Sequence, residues 1–209
     1  MKKLLGTGNT KLKYTAKLHD VKIVNFSIPD YKSKSGQLTC PFAKDCIKFC
    51  YAGKGMYNFS NVSDALELRY EESKKASFEE TINLQISRMR DNKQKYVRIH
   101  DSGDIYSKKY FLKWVSIMTD NPGTRFYFYT KSVSIVKPLE SILPENVSYA
   151  YSFGGKNDDM IDVTKDRHAK IFNTEKELLD AGYHNASFDD LQRTSWINPD
   201  NIKIGLILH

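Results

Sequence analysis

The sequence predicts an α/β protein with mostly parallel strands, and three observations carry that prediction. Six short stretches rich in β-branched and aromatic residues lie near 21–28, 96–100, 125–130, 147–152, 169–173 and 202–208. Helical patterns separate most of them. Polar or glycine residues follow nearly every one, at the strand ends where α/β proteins gather their functional groups. Such alternation means parallel strands joined by right-handed crossovers. Six units of this kind make either an open doubly wound sheet or a partial (β/α)6 barrel. No repeat or low-complexity linker interrupts the chain, so residues 1–209 are expected to form a single domain.

Taken in order, residues 5–11 read as turn. Residues 21–28 form a strand closed by Pro29, and residues 39–55 form a long loop. A helix is expected over 62–76. A stronger one covers 78–91, where Ser77 and Glu80 make a capping-box pattern and Phe78, Ile82, Ile86 and Met89 share a face. Strand 96–100 runs into the turn at 101–104. The helix over about 106–119 sets Tyr110, Phe111, Trp114, Val115 and Met118 on one side and ends at Asn121-Pro122-Gly123. After strand 125–130 a short helical piece spans 133–143, and strand 147–152 leads into Phe153-Gly154-Gly155. Thr174 and Glu177 cap a short helix that Gly182 ends. Residues 183–201 read as irregular. The apolar stretch 202–208 is expected to close one edge of the sheet and bring His209 to the mouth of a barrel.

Side-chain alternation divides the strands into two faces. Val97, Ile99, Phe126 and Phe128 fall on one, to meet the helices. Arg98, His100, Tyr127 and Tyr129 fall on the other. A polar inner face suits a site, although satisfied polar groups in a core give the same pattern.

All three cysteines, Cys40, Cys46 and Cys50, lie within eleven residues. An odd number leaves one thiol over in any disulfide scheme. A structural zinc site needs a fourth ligand, and no Cys or His pair follows at the usual interval. Three soft thiolates suit three irons of a [4Fe–4S] cube, with the fourth iron open to a small molecule. Three buried apolar cysteines and a zinc centre stand as the alternatives. The turn at His100, Asp101, Ser102, Gly103 and Asp104 is the second candidate, since a histidine beside two carboxylates can ligate metal, move protons or bind an amine. Lys131 and Ser152 end two later strands at the same rim.

The chain carries 32 basic and 25 acidic residues, a net charge of +7. Lys2, Lys3, Lys11, Lys13 and Lys17 precede any acidic residue, so nucleic acid is a candidate partner for the basic surface. No apolar run is long enough to span a bilayer and the start is not a secretory signal, so a cytoplasmic location with no membrane partner is expected.

Strand, three-cysteine loop, helix, strand and Gly-acid turn, in that order, resemble the core of the radical S-adenosylmethionine enzymes. Phe49 before Cys50 is similar to the aromatic commonly found there. Ser102-Gly103-Asp104 falls where that family keeps a Gly-Gly-Glu-like motif. The resemblance implies a partial (β/α)6 TIM-like barrel and a [4Fe–4S] cluster on Cys40, Cys46 and Cys50. It also implies S-adenosylmethionine at the open iron. Ser102, Gly103, Asp104 and Ser152 would then bind that cofactor, while His100, Asp101, Tyr129 and Lys131 would face substrate. The cysteines here are more widely spaced, and Ser102 and Asp104 replace Gly and Glu. The chain also resembles an uncharacterised family of bacteriophage proteins with a Cys-Pro-x-Ala…Cys…Cys-Tyr-Ala motif and a downstream His-x-Ser-Gly-Asp motif, which would place it in a host cytoplasm. Three functions compete: a radical enzyme, a cluster-bearing protein that binds nucleic acid or a host protein, and a zinc hydrolase or nuclease using His100 with Asp101 or Asp104.

Overall fold

The structure is a computed structural model that describes residues 2–90 and 92–208. Its strands are β1 (Lys22–Phe26), β2 (Lys95–Ile99), β3 (Thr124–Thr130), β4 (Val147–Ser152), β5 (His168–Phe172), β6 (His184–Asn185) and β7 (Lys203–Ile207). Its α-helices are α1 (Thr10–Leu18), α2 (Ser60–Lys74), α3 (Phe78–Ser87), α4 (Lys108–Asp120), α5 (Val133–Val136) and α6 (Glu175–Asp180). The seven strands form one sheet in the order β1-β2-β3-β4-β5-β7-β6, and every pairing is parallel. From β1 to β5 each strand sits beside the next. A doubly wound sheet reverses its order part-way; sequential order with right-handed crossovers instead puts the helices on one face, as in a barrel arc.

The packing follows that rule. Val24, Phe26, Val97, Ile99, Phe126 and Phe128 meet Phe78, Ile82 and Ile86 of α3 and Phe111, Trp114 and Met118 of α4 in one buried core. All five residues assigned from sequence to the apolar side of α4 are buried. The Ser77 capping box is not made, because Ser77 has φ −77° and ψ 3° and its side chain caps nothing.

The opposite face is covered by elements that periodicity missed. Helix α1 begins where turn was expected: the Asn9 side chain accepts a hydrogen bond from the Leu12 amide at 3.2 Å and starts it. Leu12 then packs with Ile23, Tyr96, Tyr127 and Leu191 in a second core. Leu191 belongs to a 3-10 turn, Asp190–Arg193, inside the segment read as irregular.

The C-terminal strand departs from expectation. β7 lies between β5 and β6, and the two-residue β6 takes the edge. His209 lies outside the described residues. Among the described residues no helix is long and apolar enough to cross a membrane.

Candidate metal-cluster site

The cysteine loop is pinned to the C-terminal rim of the sheet at its start and near its middle. At its start, the Tyr31 carbonyl accepts the Thr39 amide at 2.9 Å and the Cys40 amide at 3.4 Å. The Thr39 carbonyl accepts the Asp104 amide at 3.1 Å, which ties the loop to the turn after β2. Further on, the Gly154 carbonyl accepts the Lys44 and Cys46 amides, and the Phe42 carbonyl accepts the Lys156 amide at 2.8 Å. These bonds join the loop to the segment after β4, where Ala43 and Gly155 form an isolated antiparallel bridge. A short 3-10 stretch, Asp45–Phe49, carries Cys46 and ends just before Cys50.

All three cysteines are free thiols and half-buried. Cys50 disfavours ionisation of both Cys40 and Cys46, and Lys131 favours it. Burial pushes the Cys40 thiol well up, and Asp104 adds to that. Burial also raises Cys46, against the pull of Lys131. At both positions the pull of Lys131 offsets burial only in part. Among the described residues no three His, Cys, Asp or Glu side chains are grouped to hold a single metal ion. The donor set suits a cubane better, because each thiolate then binds its own iron. Two buried hydroxyls, Thr39 Oγ1 in the residue before Cys40 and Ser102 Oγ in the turn after β2, have no hydrogen-bond partner.

Lys131 and Ser152 belong to this rim. Lys131 Nζ donates to Ser152 Oγ at 2.9 Å. An added Cβ on Gly154 would stand 3.5 Å from Cys46 Cβ and 3.7 Å from Lys131 Cε, which puts the lysine beside the loop.

The side chains of the 100–104 turn other than Ser102 have partners within the protein. His100 has φ +64°, so its ring leaves the Arg98 face expected from alternation. Its Nε2 lies 2.8 Å from the Tyr110 hydroxyl, and its ring packs against Phe26 in the helix-side core. Burial first, and Arg98 second, lower its pKa to about 3, so the imidazole is neutral. Asp101 Oδ2 accepts from Asn9 and Asn25, each at 2.9 Å, and thereby ties α1 and β1 to the turn. Asp104 is buried and accepts three bonds: the Ile105 amide at 2.7 Å, the Thr130 hydroxyl at 2.7 Å and the Lys131 amide at 2.9 Å. Burial raises its pKa despite those donors. Gly103 is required by Ile28, whose side chain fills the space over it.

A second polar group lies on the inner face of the sheet. Asp190, fully buried, receives Arg98 Nη1 at 2.9 and 3.0 Å and the Tyr127 hydroxyl at 2.8 Å. Arg193 Nη1 and Lys11 Nζ stand 3.3 and 3.4 Å away. Tyr129 joins this group, its ring 5.2 Å from the Arg193 guanidinium and 5.8 Å from that of Arg98. Arg98, Tyr127 and Tyr129 thus share the inner face as the alternation predicts. Lys11, Asp190 and Arg193 were not singled out for this role. Lys11 looked like one of five lysines in a basic arm, and Asp190 and Arg193 sit in the segment without periodicity.

Residues 3–207 match the protein family described as "Gene product 88". The chain is 31% identical over 148 residues to the Gene 88 protein of Mycobacterium phage L5, covering 66% of this chain and 62% of that one. It is 30% identical over 136 residues to the Gene 88 protein of Mycobacterium phage D29, covering 60% of this chain and 57% of that one. The chain therefore spans somewhat under two thirds of the length of these relatives. No solved structure shows significant similarity to it. With a match that runs nearly from end to end, the chain belongs to the gene product 88 family.

Proposed function

We propose that this is an iron–sulfur protein in which Cys40, Cys46 and Cys50 hold a [4Fe–4S] cluster at the C-terminal rim of the sheet. One observation carries the proposal. Three free thiols, all those in the chain, lie within eleven residues on a loop that backbone hydrogen bonds fix to two different strand ends. A cluster held by three cysteines supplies an iron open to a small-molecule ligand. The chain's own part is to fix the loop through Tyr31, Thr39 and Gly154 and to set the positive charge of Lys131 against the thiolates. The unpartnered buried hydroxyl of Thr39, the residue before Cys40, supports a bound group there.

The radical S-adenosylmethionine reading extends this proposal to a particular small molecule. It finds less support in the 102–104 turn, because Asp104 already accepts three hydrogen bonds inside the protein. An amine at the open iron would rely on other groups. The zinc reading requires a tighter ligand group than the described residues provide.

Anaerobic purification with iron, sulfide and zinc assays tests the proposal. A brown protein with about four irons and four sulfides per chain is expected, and Cys40→Ala, Cys46→Ala and Cys50→Ala should each lose most of the iron. A colourless protein with one tightly held zinc would sink it. Titrating the reduced protein with S-adenosylmethionine tests the extension. A changed spectrum with release of 5′-deoxyadenosine supports it, and neither effect leaves a cluster protein without that cofactor.

A further inference from the structure

The inner face of the sheet holds a charge imbalance that the cysteine site does not use. Arg98 and Arg193 are 7% and 8% exposed, and Lys11 joins them around Asp190, which is fully buried. With Lys11 protonated, three cations face the one Asp190 carboxylate. Burying unbalanced charge is costly, and such groups are normally paired.

The distances show which cations are poorly served. A carboxylate has about four acceptor positions. Arg98 takes two contacts and Tyr127 one, all at 2.8–3.0 Å. Lys11 and Arg193 are left at 3.4 and 3.3 Å, beyond the usual length of a charge-assisted bond. Arg193 spends Nε on the Ala186 carbonyl at 3.1 Å, and a guanidinium has five donors in all. The Lys11 side chain remains 28% exposed, so this end of the group meets solvent. Its place follows from α1: Asn9, which caps that helix, is bonded to Asp101 in the turn after β2. The first turn of α1, with Lys11, therefore lies toward the same rim as the cysteine loop.

We infer that Lys11 and Arg193 bind an oxyanionic group, phosphoryl or carboxylate, of a small ligand on the inner face of the sheet. Arg98 and Asp190 hold the two cations in place, and Tyr129 lines the position beside Arg193. The charge state agrees with this. Burial, then repulsion from Arg193, lower the Lys11 pKa to about 7, with Arg98 adding to the fall and Asp190 opposing it. An anion would relieve that repulsion. The inference stands without the cluster.

Calorimetric titration of the full chain at constant ionic strength tests it, with sulfate as a tetrahedral probe and acetate as a planar one. Saturable binding of one equivalent of either is expected, and the better probe identifies the class of oxyanion. Lys11→Met and Arg193→Met should each weaken binding at least tenfold. Lys109→Met, which removes the same charge from an exposed position at the start of α4, should leave it unchanged. Sulfate keeps its charge across neutral pH, so its affinity for the unmutated protein should fall as pH rises through about 7. That measurement needs no variant to fold. Failure of both probes to saturate, a flat pH profile, or equal losses in Lys109→Met and Lys11→Met would overturn the inference.

Discussion

Ile28 occupies the space that any side chain at position 103 would need. A Cβ added to Gly103 would stand 2.2 Å from Ile28 Cγ1, and Gly103 has φ +78°. The carbonyl of the preceding residue, Ser102, accepts the Ile28 amide at 3.2 Å. The turn after β2 is thus moulded around the end of β1. Its glycine answers to packing, a demand that a ligand-binding glycine would mimic in the sequence.

Gly103→Ala should therefore destabilise the protein by about 2–4 kcal/mol, from overpacking together with a left-handed backbone. Chemical denaturation measures it. Ile28→Ala opens the space, so the double variant should lose less than the two single losses added together. Strict additivity would show that Ile28 is not the obstacle.

Asp104→Asn is nearly isosteric and separates charge from shape. One amide oxygen can still accept from Ile105 and Thr130, but the NH2 group then faces the Lys131 amide, also a donor. A loss of about 1–3 kcal/mol is expected, the cost of leaving a buried donor unpaired. The pH dependence has a definite sign. Burial raises the folded pKa above the usual carboxylate value, so the native state binds this proton more tightly. The aspartate favours folding most at acid pH, and that share is lost as pH rises through its folded pKa. The asparagine variant should lack this component in a stability–pH profile.

These residues show how far the sequence could be read. The apolar strands, the α4 stripe and the parallel pairing follow from strong periodicity, and the structure has them; the order of the strands does not follow from it. The rim residues Lys131 and Ser152 were legible because strand ends in such folds point one way. His100 was misplaced because alternation assumes extended backbone, and φ +64° breaks it. α1 was invisible because it buries only Leu12 and Thr15, too few for a helical stripe. Asp190 was hidden because its partners lie 92 and 63 residues away in sequence, at Arg98 and Tyr127. No local pattern records such a contact.

The Asp190 group should dominate the response to acid and to base. Burial disfavours its charge, but Arg98, Arg193 and Lys11 outweigh burial and hold the carboxyl well below the usual range. A depressed carboxyl contributes stability above its unfolded pKa and loses it as pH falls through the folded one, so the loss begins below about pH 4. Lys11 gives a slope of the same sign in a higher pH range. Its pKa falls from 10.5 to about 7 on folding, so the unfolded chain binds more protons between those values and stability rises with pH there. Lys11→Met should abolish that rise. Asp190→Asn should cost about 3–5 kcal/mol at neutral pH, because buried guanidinium groups lose their counter-charge. A loss below 1 kcal/mol would mean that the arginines reach water.

Gly154 links the strand layer to the cysteine loop, and altering it should loosen one cysteine selectively. Its carbonyl accepts the Lys44 and Cys46 amides, and Asp158 Oδ2 accepts its own amide at 2.8 Å. Its φ is +95°, where an L side chain is strained. Gly154→Ala should cost about 1–3 kcal/mol in stability from that strain. The added methyl would also touch Cys46, at 3.5 Å from both its Cβ and its amide nitrogen. Contact at that distance is tolerable, so the backbone strain decides the outcome. As the backbone relaxes toward negative φ, the carbonyl turns away from the Lys44 and Cys46 amides. Cys40 is held separately, by the Tyr31 carbonyl, and should not respond. Iodoacetamide alkylation of the reduced, metal-free protein, followed cysteine by cysteine by mass spectrometry, distinguishes the two. Cys46 should react several-fold faster in the variant while Cys40 keeps its rate. Equal acceleration at both positions would show that the loop moves as one piece, with the Gly154 carbonyl no more than incidental to it.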